Sequence, residues 1–197
     1  MNTIQLIFAT NNEHKVKEIQ SVIPATIKVI SLAKAGIDID IPEPHDSLEE
    51  NATEKSTVIH QLTKQNCFSE DSGLEVVALH GEPGVKSARY AGDGKDFAAN
   101  INKLLLKLAN NPDRTAQFRT VISLIWNEKE YQFEGICKGT IRHEPIGTEG
   151  FGYDSIFIPE GSNKTFGQMT LAEKNEYSHR KKAVKQLISC LEKIMNS

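Results

Sequence analysis

Apolar positions along the chain recur in two rhythms, runs or alternations of strand type and spacings of three and four of helix type. Ile4–Thr10 is a continuous run containing β-branched and aromatic residues, the pattern of a strand buried on both faces. It ends at Asn11-Asn12, after which Val16, Ile19 and Ile23 recur at helical spacing until Pro24 stops the helix. Ile27–Leu32 alternates as a strand, and Gly36–Asp46, with two prolines and little periodicity, reads as a loop. Ser47 to about Asn66 reads as a helix, with Ser47 as N-cap and Glu50 completing a capping box. Cys67–Val77 reads as strand, turn and strand around Asp71-Ser72-Gly73. Phe97, Ile101, Leu104, Leu105 and Leu108 form the apolar stripe of another helix. Ala116–Trp126 and Glu130–Ile141 predict a long hairpin turning at Asn127-Glu128-Lys129. Glu144–Gly152 is a glycine-rich loop, and Tyr153–Ile158 a short strand. A last helix is expected from about Lys174 to Met195, with Ala183, Leu187, Leu191 and Ile194 inward. Helices interleaved with strands and a long central hairpin predict a mixed α/β fold, taken as a single domain over residues 1–197.

Composition narrows the function. With 39% hydrophobic and 25% charged residues the chain can build a core and is not disordered. No apolar run approaches the roughly 20 residues of a membrane-spanning helix. The N-terminal segment from Met1 lacks a basic leader and reads directly as a strand. Cys67, Cys137 and Cys190 are odd in number, far apart and without a CxxC pair, which favours a reducing cytoplasm over a disulfide scaffold or a cysteine-rich zinc site. A net charge of −3 argues against a general nucleic-acid binder, because such binding rests on many basic contacts to phosphate. The distribution says more. Between Asp38 and Glu54 there are seven acids and no Lys or Arg, and between Lys174 and Lys193 six bases against two acids. These segments suit a metal ion and a phosphorylated ligand respectively, and equally suit two solvated faces.

Four constellations can carry chemistry. Thr10-Asn11-Asn12-Glu13-His14-Lys15 leads a strand into a helix N-terminus, where backbone N–H groups attract anions. It lacks the glycines and Gly-Lys-Ser/Thr ending of a P-loop, and alone also fits an ordinary strand–helix junction. Glu70-Asp71-Ser72-Gly73 sets two adjacent acids that point in opposite directions along a strand, one of them a natural hard-metal ligand; a polar β-turn is the plain alternative. Gly150-Phe151-Gly152-Tyr153-Asp154 lets backbone and ring approach a flat ligand, or makes a tight turn around a core Phe. Lys174 to Lys182, containing Ser178-His179-Arg180, supplies a basic helix start, ordinarily a solvated surface.

Together these segments resemble the inosine triphosphate pyrophosphatase (Ham1-like) family. The matching pieces are Ala9-Thr10-Asn11 with Lys15 and Glu18, Glu50-Asn51-Ala52 with Lys55, Asp71-Ser72-Gly73-Leu74, Pro83-Gly84-Val85 with Ser87-Ala88-Arg89-Tyr90, Gly150-Phe151-Gly152-Tyr153-Asp154, and Ser178-His179-Arg180. They follow the family order from end to end. Glu70 stands where many bacterial members carry a second Asp, Ser155 replaces a common Pro, and Glu13-His14 is more charged than the usual phosphate loop. The resemblance implies an elongated mixed sheet with a long central hairpin, two lobes flanking a nucleotide cleft, and usually a homodimer. It implies hydrolysis of ITP, dITP and XTP to the monophosphate and pyrophosphate with Mg²⁺, which cleanses the nucleotide pool before polymerases use it.

On that resemblance Asp71 is the catalytic acid and a metal ligand, and Glu43 is the other metal carboxylate, with Asp46, Glu49 and Glu50 as nearby competitors. Thr10, Asn11, Lys15, Lys55 and Ser72 are expected on the triphosphate, and Asn12, Glu13, His14, Phe151, Gly152, Tyr153, Asp154, Lys174, His179 and Arg180 on the substrate, with Arg180 able to serve either the base or the phosphates. His179 and Arg180 suit the O6 acceptor of inosine and xanthosine, and Asp154 or a nearby carbonyl suits N1–H. Adenine offers the reverse pattern. A Maf-type pyrophosphatase would not carry Gly-Phe-Gly-Tyr-Asp with Ser-His-Arg, a non-catalytic nucleotide sensor would lose the metal acids, and an RNA-binding protein would need a basic surface.

Overall fold

A computed structural model describes residues 3–195, so Met1 and Asn2 of the N-terminal reading lie outside the described residues. The chain is mixed α/β. Its strands are β1 (Ile4–Phe8), β2 (Ile27–Ser31), β3 (Cys67–Val76), β4 (Pro83–Gly84), β5 (Thr115–Trp126), β6 (Lys129–Ile141) and β7 (Phe157–Pro159). Its α-helices are α1 (Glu13–Gln20), α2 (Leu48–Thr63), α3 (Phe97–Leu108), α4 (Leu171–Tyr177) and α5 (His179–Met195). The strand order is β2-β1-β3-β5-β6-β7, with β4 paired to β3. Among the described residues no helix is long and apolar enough to cross a membrane.

The chain divides into two compact units. The first comprises Met1–Asp71, Thr120–Gly135 and Arg180–Ser197, the second Ser72–Arg119 and Ile136–His179. In the first, β1 runs parallel to β2 and to β3, with Ile7 opposite Cys67 and Phe8 opposite Phe68. The unbroken apolar run of β1 has a direct cause. Leu6 and Phe8 join Val16 and Ile19 of α1 and Ala183, Val184, Leu187 and Leu191 of α5, whereas Ile7 and Ala9 join Ile59 of α2 with Leu32 and Ile41. Alternate side chains thus meet helices on both faces of a parallel sheet. The Phe8 and Phe68 rings stack at 4.5 Å. The hairpin turns on two residues, Asn127 (φ 48°) and Glu128 (φ 66°), the left-handed pair that matches strand twist.

In the second unit, Ile101, Leu104 and Leu108 of α3 pack on Leu74, Val76, Ala116, Phe118, Tyr153, Phe157 and Phe166. β4 and β7 pair antiparallel with β3 and β6.

Four local expectations are corrected. Asp71-Ser72-Gly73 is no turn: β3 passes straight through, and a Cβ on Gly73 would lie 2.5 Å from the Gly84 carbonyl oxygen. The glycine marks close backbone approach by β4, not a reversal. Tyr153–Ile156 is turn, and the strand begins only at Phe157, because the preceding loop bends through Gly150 and Gly152 with positive φ. The C-terminal helix is two helices, since Ser178 takes ψ 126° and breaks the helical path between Tyr177 and His179. Ser47 does cap α2, accepting from Glu50 N–H at 3.2 Å, but its hydroxyl, not its backbone N–H, donates to the Glu50 carboxylate.

Gly139→Ala is expected to lower stability by about 1–3 kcal/mol, the usual cost of forced overpacking. The added Cβ would meet the Ile158 carbonyl oxygen at 2.1 Å and the Phe157 ring at 2.7 Å. Thermal unfolding followed by circular dichroism should show a midpoint several degrees lower; an unchanged midpoint would mean that β6 and β7 part freely.

Candidate active site

The first unit gathers its charges around β3. Successive side chains of a strand face opposite ways, so Glu70 and Asp71, only 1% and 6% exposed, need separate partners. Asp71 accepts from Lys55 Nζ at 2.8 Å, and the same ammonium donates to Glu43 at 2.6 Å. Lys55 is placed by α2. One turn earlier, the Asn51 side-chain amide clamps the acidic loop, accepting from His45 N–H at 3.0 Å and donating to the His45 carbonyl at 3.1 Å. Asn11 ties the same loop down by donating to the Ile39 carbonyl at 2.9 Å. Burial pushes the Asp71 pKa above the ordinary aspartate value, although Lys55 and Lys15 pull it down. Burial opposes the charge on Lys55, but Asp71 and Glu43 outweigh it and raise its pKa, so the ammonium stays protonated.

On the other side, Glu70 takes a two-pronged contact from Arg180, Nε at 2.6 Å and Nη2 at 2.8 Å, while Arg180 Nη1 donates to Glu18. Lys15 Nζ lies 3.4 Å from Glu70. Burial works against the guanidinium charge, yet Glu70 and Glu18 raise its pKa. In the sequence Glu70 is legible as half of an acid pair and Glu18 only as a family position. Their partner lies 110 residues from Glu70 and 162 from Glu18, beyond any local pattern.

The loop before α1 is more self-contained than a helix N-terminus implies. The Asn12 side-chain oxygen accepts from His14 N–H at 3.0 Å and Lys15 N–H at 3.2 Å, so the cap engages those donors itself. The Thr10 hydroxyl oxygen accepts from Asn12 N–H at 3.1 Å. Glu13 and His14 are exposed, and Lys15 is half-buried.

The second unit holds the remaining candidates except Arg180. Asp154, buried, accepts from Phe151 N–H at 2.8 Å and from Lys174 Nζ at 2.6 Å. A Cβ on Gly150 would fall 2.0 Å from the Asp154 carboxylate, and its φ is +75°, so only glycine serves there. The Lys174 ammonium lies 5.3 Å from the Phe151 ring centre and 5.2 Å from that of Phe166, within cation–π range. Thr170 caps α4 through a reciprocal pair with Glu173, which sets the helix that carries Lys174. Tyr153 is an anchor: buried, its hydroxyl donates to the Ser87 carbonyl at 3.0 Å. His179 stacks on Phe118 at 4.8 Å, nearly parallel. Gly152 has open space where a Cβ would sit. Ser72 follows Asp71 along β3, half-buried.

The structure therefore brings together Glu43, Lys55 and Asp71 in one group and Phe151, Asp154 and Lys174 in another. The first sets two carboxylates on one ammonium, chemistry of the kind that handles phosphate and water. The second offers an aromatic face beside a donor and an acceptor, the equipment for a flat polar ring. Among the described residues no group of three or more His, Cys, Asp or Glu forms a ready metal cage.

Known proteins share this chain's sequence and fold over nearly its whole length. The family model described as Ham1 family matches residues 6–190. The dITP/XTP pyrophosphatase of Flavobacterium johnsoniae is 50% identical over 188 residues, 95% of this chain and 98% of that one. Its namesake from Staphylococcus aureus strain MW2 is 40% identical over 189 residues, covering 95% and 96%. Among solved structures, the Staphylococcus aureus Ham1 protein superposes with a TM-score of 0.86 at 40% identity, covering 95% of this chain and 98% of that one. A HAM1 protein from Coxiella burnetii gives 0.87 at 35%, covering 97% and 100%.

Arg180→Ala is expected to cost about 3–5 kcal/mol of stability, because it leaves two carboxylates buried without their cation. Arg180→Lys should recover only part, since an ammonium cannot make the forked contact. Urea unfolding measures both; a loss under about 1 kcal/mol for the alanine variant would show that the cluster tolerates uncompensated charge.

Proposed function

The chain belongs to the Ham1 family, and we propose that it hydrolyses the non-canonical purine triphosphates dITP, ITP and XTP to the nucleoside monophosphate and pyrophosphate. The observation that carries this reading is the convergence of Glu43 and Asp71 on the single buried ammonium of Lys55. Cleavage between the α and β phosphates needs an oriented water, positive charge on the phosphates and little else from the protein. Asp71 is suited to orient the water and take its proton, since burial lifts its pKa above that of a surface carboxylate. Lys15 and Lys55, with Thr10, Asn11, Asn12, Glu13, His14 and Ser72 around them, are assigned to the triphosphate.

The donor chemistry fits a hard divalent cation. Two carboxylates already converge on one positive centre, and Mg²⁺ is commonly held by one or two carboxylates with water and phosphate oxygens making up the rest. Glu43 and Asp71 would hold it, and when bound it would neutralise developing charge on the phosphates.

Base recognition is assigned to the second unit. Phe151 supplies the stacking face, Gly152 the close approach and Tyr153 the anchor of the loop. Lys174 and His179 donate to a purine O6, and Asp154 orients Lys174 and suits N1–H. Arg180, oriented by Glu70 and Glu18, keeps its family assignment beside His179. A site arranged for O6 leaves polar groups unmatched when adenine presents an amino group instead, a mismatch that can reach about 10⁴–10⁵ in kcat/KM. On this reading the two units act as one functional domain over residues 1–197. We also place the enzyme in the cytoplasm, where its three free cysteines, two of them buried, are at home. The family resemblance supports a homodimer.

Product analysis should find monophosphate and pyrophosphate, with ITP, dITP and XTP turned over far better than ATP or GTP; release of orthophosphate and diphosphate, or equal use of ATP, would overturn the assignment. Asp71→Asn keeps shape and removes charge, and should lower kcat about 10²–10⁴-fold at saturating Mg²⁺ while the circular dichroism stays native. Retention of more than about a tenth of the wild-type kcat would remove Asp71 from the central role.

A further inference from the structure

We propose that Phe97, the first residue of α3, is a positioning residue that holds the Phe151 ring in the plane needed for purine stacking; this rests on the pyrophosphatase reading above. Phe97 is a large aromatic residue left 39% exposed, which core packing does not require. Its ring centre lies 6.2 Å from that of Phe151 with the planes tilted by 48°, within the distance range of favourable aromatic pairs.

Gly150 (φ 75°) and Gly152 (φ 61°) flank Phe151 without side chains, so the ring's orientation depends on contacts distant in sequence. The Lys174 ammonium at 5.3 Å supplies one of them. Phe97 supplies another, on a rigid mount. Asp96 caps α3 by accepting from Ala99 N–H at 3.1 Å, which sets the first turn. Three residues on, and so on the same face, Asn100 accepts from Ala91 N–H at 2.6 Å and donates to the Ala88 carbonyl at 3.1 Å. That holds the segment whose Ser87 carbonyl accepts the Tyr153 hydroxyl. The first turn of α3 therefore reaches the Phe151 loop twice, through Ser87 and Tyr153 and through Phe97 directly against the ring.

The test uses the full chain and the variants Phe97→Ala, Phe97→Tyr, Phe151→Ala and the alanine double variant. Phe97→Ala should raise KM for ITP about two- to tenfold with kcat within about twofold, the size of one lost aromatic pair, and Phe97→Tyr should restore it. In the Phe151→Ala background, Phe97→Ala should add nothing, because its effect runs through that ring. Ring NMR signals of Phe151 in ¹³C-phenylalanine-labelled protein should shift in Phe97→Ala and return in Phe97→Tyr, a readout independent of turnover. Equal KM effects in both backgrounds, unmoved Phe151 signals, or a lowered unfolding midpoint with unchanged KM would overturn the proposal. If wild-type protein releases no pyrophosphate from ITP, the pyrophosphatase reading falls and the Phe151 signals alone decide the role of Phe97.

Discussion

Burying two adjacent carboxylates in one strand is the constraint around which the first unit is organised. An ionised acid removed from water must find a cation and hydrogen bonds in compensation, or it destabilises the fold by several kcal/mol. Because β3 turns Glu70 and Asp71 to opposite faces, each has its own hydrogen-bonded cation, although Lys15 lies near Glu70 and also favours the charge on Asp71. Lys55 of α2 answers Asp71, and Arg180 of α5 answers Glu70 while also engaging Glu18 of α1. Three helices are thereby tied to one strand by charge as well as by apolar packing. Burial also keeps the Asp71 pKa above the ordinary aspartate value, even with Lys55 beside it.

The second unit solves a different problem, burying a lysine beside an aromatic ring and giving its charge a partner. Asp154 is the hub. Its carboxylate receives the Phe151 backbone N–H and the Lys174 ammonium together, and Gly150 makes room by having no Cβ. The buried Lys174–Asp154 pair thus holds a cation that is positioned by a partner instead of by water. Tyr153 and Phe97 bind the loop to neighbouring backbone and helix, so the ring stands on supports remote in sequence.

Much of this is legible in the order of residues alone. The continuous run at Ile4–Phe8, the stripe from Phe97 to Leu108 and the hairpin strands match their expected bounds within a residue or two, because each is written in a short window of alternating or helical spacing. The pairing of Lys55 with Asp71, and of Lys174 with Asp154, joins motifs that spacing alone leaves apart. Local signals mislead where a residue has a non-local purpose. Gly73 has the look of a turn residue and instead admits the Gly84 carbonyl. The helical spacing after Lys174 continues through Ser178, although the backbone there breaks.

By itself the sequence determined the α/β class and the order of elements, since those depend on periodicity, while its candidate site residues came from the resemblance of its motifs to a family. Tertiary structure alone decided which charges meet. Arg180 reaches Glu70 across 110 residues and Glu18 across 162, and Asn12 turns its amide back onto the N–H groups of His14 and Lys15. The reason is physical. A buried charge takes its partner from whatever the packed fold brings within hydrogen-bond reach, and no spacing along the chain encodes that distance.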